Sequence, residues 1–153
     1  YQDVCNAILT RIPGKIEAEN YGHTGYMQSY FVTDTTARSA YYRKTEPVKI
    51  SLDSKDEKQF WSEQSVELKK TEWLNYNFGS EDGNKRKLTI RAAAVNGPVL
   101  LELYMNKRKL KVVVSDTGFT EIDLGNVPVK QVGNTIRVLV KSGTVKLDWL
   151  AFY

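Results

Sequence analysis

The second half of the chain is governed by one pattern: apolar residues at every second position. Leu88, Ile90, Ala92 and Ala94 alternate with Lys87, Thr89, Arg91 and Ala93. The same spacing returns in Val99, Leu101, Leu103 and Met105, then in Leu110, Val112 and Val114, then in Ile122 and Leu124. It closes the chain in Ile136, Val138 and Val140 and in Val145, Leu147 and Trp149. A helix would scatter such residues around its circumference, whereas an extended strand puts each set on a single face. Turn signals separate the sets: Gly83-Asn84, Asn96-Gly97-Pro98, Asn106, Thr117-Gly118, Gly133-Asn134 and Ser142-Gly143. Many short strands at this spacing predict an all-β fold, an antiparallel β-sandwich or barrel.

Composition agrees. Val, Ile, Thr, Tyr, Phe and Trp make up 51 of the 153 residues, while alanine appears only eight times, which argues against a helix bundle. With 41% apolar and 26% charged residues the chain is not globally disordered. No run of 18 apolar residues occurs, so no membrane-spanning helix is expected. The length fits one domain.

The first half is less regular. Residues 1–14 read as a linker or lead-in, with Pro13-Gly14 as punctuation, and 15–153 as the folded module. Gly22 to Ser39 is a long polar stretch carrying Tyr26, Tyr30 and Phe31. Ala40 to Leu52 has room for a strand, and Glu57 to Leu68 for a turn or two of helix. The single Cys5 excludes an internal disulfide and a multi-cysteine metal site, and reads as an incidental thiol. A chain that begins at Tyr1, without a methionine, reads as an excised piece of something longer.

The net charge of +4 is concentrated in lysine-rich turns. The pentapeptide NKRKL occurs twice, at Asn84–Leu88 and Asn106–Leu110. Such clusters either bind anionic polymers or keep strand edges soluble. The nearby Glu81, Asp82 and Glu102 favour the second reading, so no nucleic-acid partner is expected.

Glu17 and Glu19 stand two apart in an expected strand and Asp148 lies in the last one. If the first and last strands are neighbours, three carboxylates converge and repel unless a cation sits among them. Oxygen-only donors favour Ca²⁺; three separate surface carboxylates are the alternative. A glycosidase pair is a poor fit, since it needs carboxyls roughly 5–10 Å apart across a cleft. No nucleophile elbow, zinc-binding helix motif or phosphate loop is present. Exposed aromatics suit sugars, whose C–H faces pack on rings; Tyr26, Tyr30, Phe31, Tyr41, Tyr42 and Phe119 are the candidates.

Four segments, taken in order, resemble family 6 carbohydrate-binding modules. They are Lys15-Ile16-Glu17-Ala18-Glu19-Asn20-Tyr21, Tyr42-Arg43-Lys44-Thr45-Glu46-Pro47-Val48-Lys49-Ile50, Glu72-Trp73-Leu74-Asn75-Tyr76 and Gly143-Thr144-Val145-Lys146-Leu147-Asp148-Trp149. The resemblance spans Lys15 to Tyr153 and implies a jelly-roll β-sandwich that binds polysaccharide without cleaving it. It also implies a secreted, monomeric module attached to a glycoside hydrolase or polysaccharide lyase, which it targets to a plant or algal cell-wall glycan. Structural Ca²⁺ would fall to Glu17, Glu19 and Asp148. The sugar cleft at the end of the sandwich would be formed by Tyr42 and Phe119 as stacking platforms, with Lys146 beside them and Tyr30 as a weaker candidate. The family pattern has asparagine where this chain has Lys146, and an ammonium donates hydrogen bonds but accepts none. Such a residue suits an acidic or sulfated sugar. Some members bind instead on the concave sheet face, and a sandwich with a degenerate site is a further alternative. Trp73 matches a packing position, and Trp61 is a less certain exposed aromatic.

Overall fold

A computed structural model describes residues 11–36, 43, 45–52 and 64–153. Ten strands follow in chain order: β1 (Arg11–Ile12), β2 (Gly14–Glu17), β3 (Tyr30–Phe31), β4 (Lys49–Leu52), β5 (Gln64–Lys69), β6 (Trp73–Ser80), β7 (Arg86–Met105), β8 (Arg108–Val114), β9 (Thr120–Val127) and β10 (Asn134–Phe152). No helix occurs among the described residues. The stretch expected to allow a helical turn instead enters β5 from Gln64 onward. Alternating Val66 and Leu68, both fully buried, favour extended backbone there.

β7 and β10 organise everything else. They are 20 and 19 residues long and pair antiparallel from Ile136–Met105 to Phe152–Leu88. Neither is interrupted at the turn signals near residues 96–98 and 142–143. The ladder instead slips in register between Val140 and Ser142 and again between Ser142 and Thr144, and both strands bend together. Asn96, Gly97 and Gly143 take positive φ at this bend. Their sequence signature is therefore that of a hairpin, but each partner strand bends alongside and keeps the ladder intact.

Beyond the bend the partners differ. The N-terminal half of β10 pairs with β6, and the C-terminal half of β7 pairs with β8, with β3 and β1 outside β6. On the other side β9 flanks β7, while β5 and β2 flank β10 and β4 lies outside β5. One hydrogen-bonded sheet thus folds over itself into the two layers of a β-sandwich, as the period-two sets predict. All strand pairs are antiparallel except β1 with β6. Residues 11–14, which the sequence suggests as lead-in, belong to this sheet, and Ile12 is buried in the core.

The alternating sets meet between the layers. Leu74, Tyr76 and Phe78 of β6, Leu101 and Leu103 of β7, and Ile136 and Val138 of β10 are each at most 1% exposed. Phe78 packs on Phe152 with ring centroids 4.9 Å apart. Burying such side chains contributes roughly 1.5–3 kcal/mol apiece.

Candidate functional site

The residues out of phase with the core line the outer surface of the β6–β10–β7–β8 layer. Directly paired residues in antiparallel strands point to the same side. Phe31, Trp73, Leu139, Glu102 and Lys111 therefore form one row across five strands. Asn75, Arg137, Tyr104 and Lys109 form the next, and Asn77 with Thr135 begins a third.

Two adjoining hollows open along these rows. The larger, about 500 Å³, is lined by Met27, Phe31, Lys70, Thr71, Trp73, Tyr104, Arg137, Leu139, Val140 and Lys141. The smaller, about 280 Å³, is lined by Gln28, Asn75, Asn77, Tyr104, Lys107, Thr135 and Arg137. Tyr104 and Arg137 border both, so the hollows make one groove with an aromatic part and an amide-rich part.

The groove is built rigidly. Trp73 is 9% exposed, as expected for a packing residue, yet its indole forms the groove floor. Phe31 stacks on it at 6.4 Å with 26° between the planes, and the Arg137 guanidinium lies 3.8 Å from its centroid. Arg137 Nε donates to Asn75 Oδ1 at 2.8 Å, and Asn75 Nδ2 donates to the Gln28 carbonyl at 2.7 Å. The bond from Nε is the only side-chain hydrogen bond of Arg137 among the described residues, which leaves the donors of its terminal nitrogens uncommitted at the groove it lines. The long first loop is strapped to β6 by two backbone bonds, Asn75 N to Ser29 O at 2.8 Å and Gly22 N to Asn75 O at 2.9 Å. Glu72 ties the far side, accepting from Thr33 N, Thr33 Oγ1 and Lys69 N at 2.8–3.0 Å.

Charge on this face is one-sided. Glu102, buried beside Leu139, is bracketed by Lys109 Nζ at 2.6 Å and Lys141 Nζ at 3.3 Å. Hydrogen bonds from these two lysines hold its carboxyl below the usual range despite burial. The two NKRKL copies separate here. Arg86 and Lys87 of the first are paired with Asp82 and Asp123. Lys107 and Lys109 of the second lie on the groove face.

Of the aromatic candidates read from sequence, Phe31 lines this groove; the residues assigned through the resemblance fall elsewhere. Tyr42, with Cys5, Tyr41 and Trp61, lies outside the described residues. Phe119 directly precedes β9, whose Thr120 pairs with Ala92, while Lys146 pairs with the adjacent Ala93. These two residues thus come to opposite sides of one short segment of β7, both half-buried. The Arg91 guanidinium stands 5.1 Å from the Phe119 centroid. Tyr30 is 5% exposed and packs edge-on against Tyr21 and Tyr26 at 5.6 and 6.0 Å, so it braces the loop instead of offering a ring face.

The three carboxylates lie near the junction of β2 and β10. Glu17 pairs with Trp149, and Ala18 N donates to Asp148 O at 2.9 Å. The strand ends at Glu17 and the chain turns through Ala18 and Glu19, so the two glutamates do not share a strand face as their spacing suggests. Asp148 Oδ2 accepts from Arg91 Nε at 2.8 Å. Burial first, and then the charge of Asp148, raise the Glu17 pKa, with Lys15 opposing them. Ionised Glu17 therefore costs stability at neutral pH, and the cost fades as pH falls through the raised value toward the ordinary carboxylate range. Among the described residues, no three acids, histidines or cysteines are grouped closely enough to hold a metal ion.

No protein-family model matches the chain, and no curated protein sequence matches it. Solved structures do. CsCBM6-3 from Clostridium stercorarium in complex with cellobiose aligns with a TM-score of 0.60 at 16% identity, covering 94% of this chain and 95% of that one. The carbohydrate-binding module CBM36 in complex with calcium and xylotriose aligns at 0.59 and 14%, covering 92% and 99%. A glycoside hydrolase family 43 arabinoxylan arabinofuranohydrolase from Bacillus subtilis, in complex with cellotetraose, aligns at 0.62 and 12%; the match covers 94% of this chain but 27% of the enzyme. The fold is thus the β-sandwich that CBM6 and CBM36 modules share.

Proposed function

We propose that the chain is a non-catalytic carbohydrate-binding module and that it takes polysaccharide in the groove of the β6–β10–β7–β8 face. The observation that carries this reading is the groove itself: half-buried Phe31 and Tyr104 flank a Trp73 floor that Arg137 and Asn75 hold in place. Ring faces supply the apolar surface, and Asn75, Asn77, Gln28 and Thr135 supply donors and acceptors for hydroxyls. Being preformed, such a groove loses little conformational freedom when sugar binds. The fold's solved examples in complex with cellobiose and xylotriose support the same class of ligand. The enzyme of which a quarter aligns with this chain supports a role as an attached, secreted module that concentrates a glycan-degrading domain on its polymer.

The end cleft is the second reading, since Phe119 and Lys146 flank the same short segment of β7 at Ala92 and Ala93. Affinity electrophoresis on a panel of plant and algal polysaccharides separates the two. Phe31→Ala and Tyr104→Ala should each weaken retardation about fivefold, the equivalent of about 1 kcal/mol of lost stacking. Tyr42→Ala and Phe119→Ala should leave it unchanged. The reverse result would move the site to the end cleft, and no retardation of the wild-type chain on any polymer would sink the reading altogether.

We further propose a structural calcium at the β2–β10 junction, with Glu17, Glu19 and Asp148 as its ligands. The donors fit in kind, all being oxygens, and the repulsion of Glu17 by Asp148 is what a cation relieves. They do not fit in grouping as they stand, and Arg91 already occupies one Asp148 oxygen, so holding the ion requires the three side chains to close on it. No step of sugar binding is routed through the ion. Thermal melts at pH 7 test the assignment. The wild-type chain should melt lower in chelator than in calcium, and Glu17→Gln should abolish that difference. In chelator the variant should melt roughly 1–2 °C above wild type, because it removes a half-buried charge that Asp148 repels. Wild-type melting that ignores calcium would count against the site.

A further inference from the structure

We propose that the groove selects an anionic polysaccharide, whose carboxylates or sulfate esters meet Arg137, Lys70 and Lys107 while its rings lie along Phe31 and Tyr104. This rests on the reading that the groove binds sugar, and adds the charge class of the ligand.

The first argument is the charge lining the site. Lys70, Arg137 and Lys141 border the larger hollow, and Lys107 and Arg137 the smaller; no acidic residue among those described lines either. Lys70, Lys107 and Arg137 have no carboxylate partner among the described residues, whereas Arg86 and Lys87 of the first NKRKL copy are ion-paired. Among the described residues the single acid on this face, Glu102, is offset by two lysines. Lys70, Lys107, Lys109, Lys111, Arg137 and Lys141 therefore stand against one carboxylate on or beside a single face. Their net +5 exceeds the +4 of the whole chain, so the remainder is close to neutral. A field concentrated on one face attracts anions to that face specifically.

The second argument is the geometry of Arg137. Its Nε–H is held by Asn75 and its plane is fixed against Trp73, leaving the terminal nitrogens presented as a fork. A fixed guanidinium fork matches the two oxygens of a carboxylate or sulfate. Both hollows share this residue, so an anionic group seated on it leaves room for sugar rings on either side.

Matched polymers test the charge separately from the sugar. Polygalacturonate should retard the full chain, and a highly methyl-esterified pectin of the same backbone should retard it at least fivefold less. λ-Carrageenan, compared with agarose, gives the sulfate arm; retardation on either anionic member alone identifies which anion is taken and supports the proposal. Arg137→Gln should weaken binding to the preferred anionic polymer about tenfold. The exposed double variant Lys70→Gln/Lys107→Gln should do so without touching the packed floor, while Lys85→Gln/Lys130→Gln, which removes the same charge elsewhere, should not. Equal retardation by charged and uncharged members of each pair overturns the charge selection and leaves the sugar site standing. Comparable retardation by double-stranded DNA at the same salt overturns it as well, by revealing an unselective polyanion surface. Failure on every polymer, neutral and anionic, overturns the sugar-binding reading itself.

Discussion

Arg43→Ala is expected to lower stability by about 3–5 kcal/mol, the cost of removing a buried guanidinium and leaving a half-buried carboxylate and three backbone carbonyls without it. For a chain of this size that is a fall in Tm of about 10 °C, measurable by calorimetry or by circular dichroism. The Arg43 side chain is only 6% exposed. Its guanidinium lies 3.5 Å from the centroid of Tyr21 and donates to the carbonyls of Tyr21 and Gly22, each at 2.5 Å, and of Glu19 at 3.4 Å. Its Nε and Nη2 also reach the Glu46 carboxylate, which accepts from the Tyr21 hydroxyl at 3.2 Å. One side chain thus satisfies the backbone where the chain leaves β2 and turns into the first loop. Arg43→Lys should recover little of the loss, because a single ammonium cannot span three carbonyls and a carboxylate while stacking on a ring. A Lys variant as stable as wild type would show that charge alone, without the planar fork, is enough there.

This arrangement also explains what the opening motif does. Tyr21, Arg43 and Glu46 lie in two segments that sequence alone connects only through resemblance, and side-chain bonds join them. Tyr76 extends the same pattern from β6, its hydroxyl donating to Ala18 O at 2.7 Å. Propensity and periodicity are blind to such bonds because they join segments through residues 21 to 58 apart. The same blindness explains Glu17 and Glu19. Spacing of two implies one face only while the strand continues, and the carbonyls taken up by Tyr76 and Arg43 belong to a turn.

The core was legible because burial imposes a period that any single strand displays. Every apolar set in the second half supplies one or both layers of the sandwich. The groove was less legible, although its signal was present: Trp73, Asn75 and Asn77, then Thr135, Arg137, Leu139 and Lys141, occupy the alternate positions that face away from the core. Outward residues are normally polar and unremarked, so an outward Trp, Tyr and Arg in adjacent strands gain meaning only once the pairing register brings them side by side. Register across strands 30 or more residues apart is set by tertiary packing, which local sequence does not encode.

The bend shared by β7 and β10 gives the sharpest test of how the two layers are joined. Gly143→Ala is expected to destabilise the chain by about 3 kcal/mol, the combined effect of a left-handed backbone and a steric clash. Gly143 has φ +85°, and a Cβ there would lie 2.8 Å from Pro98 O and 3.1–3.2 Å from Val99 atoms. The obstacle at the shortest distance is backbone, which cannot rotate aside. Gly133 separates the two contributions, since its φ is nearly the same at +80° but nothing lies within 4 Å of the added carbon. Gly133→Ala should cost only the conformational share, about 1–2 kcal/mol. The difference between the two variants then reports the close approach of β10 to β7 at the bend. Equal losses in chemical denaturation would mean that the strands can part there without penalty, and that the bend is held by the flanking ladders instead. A larger loss at Gly143 places the constraint at the crossing itself, where Val140 and Lys141 leave the groove and the chain passes into the second layer.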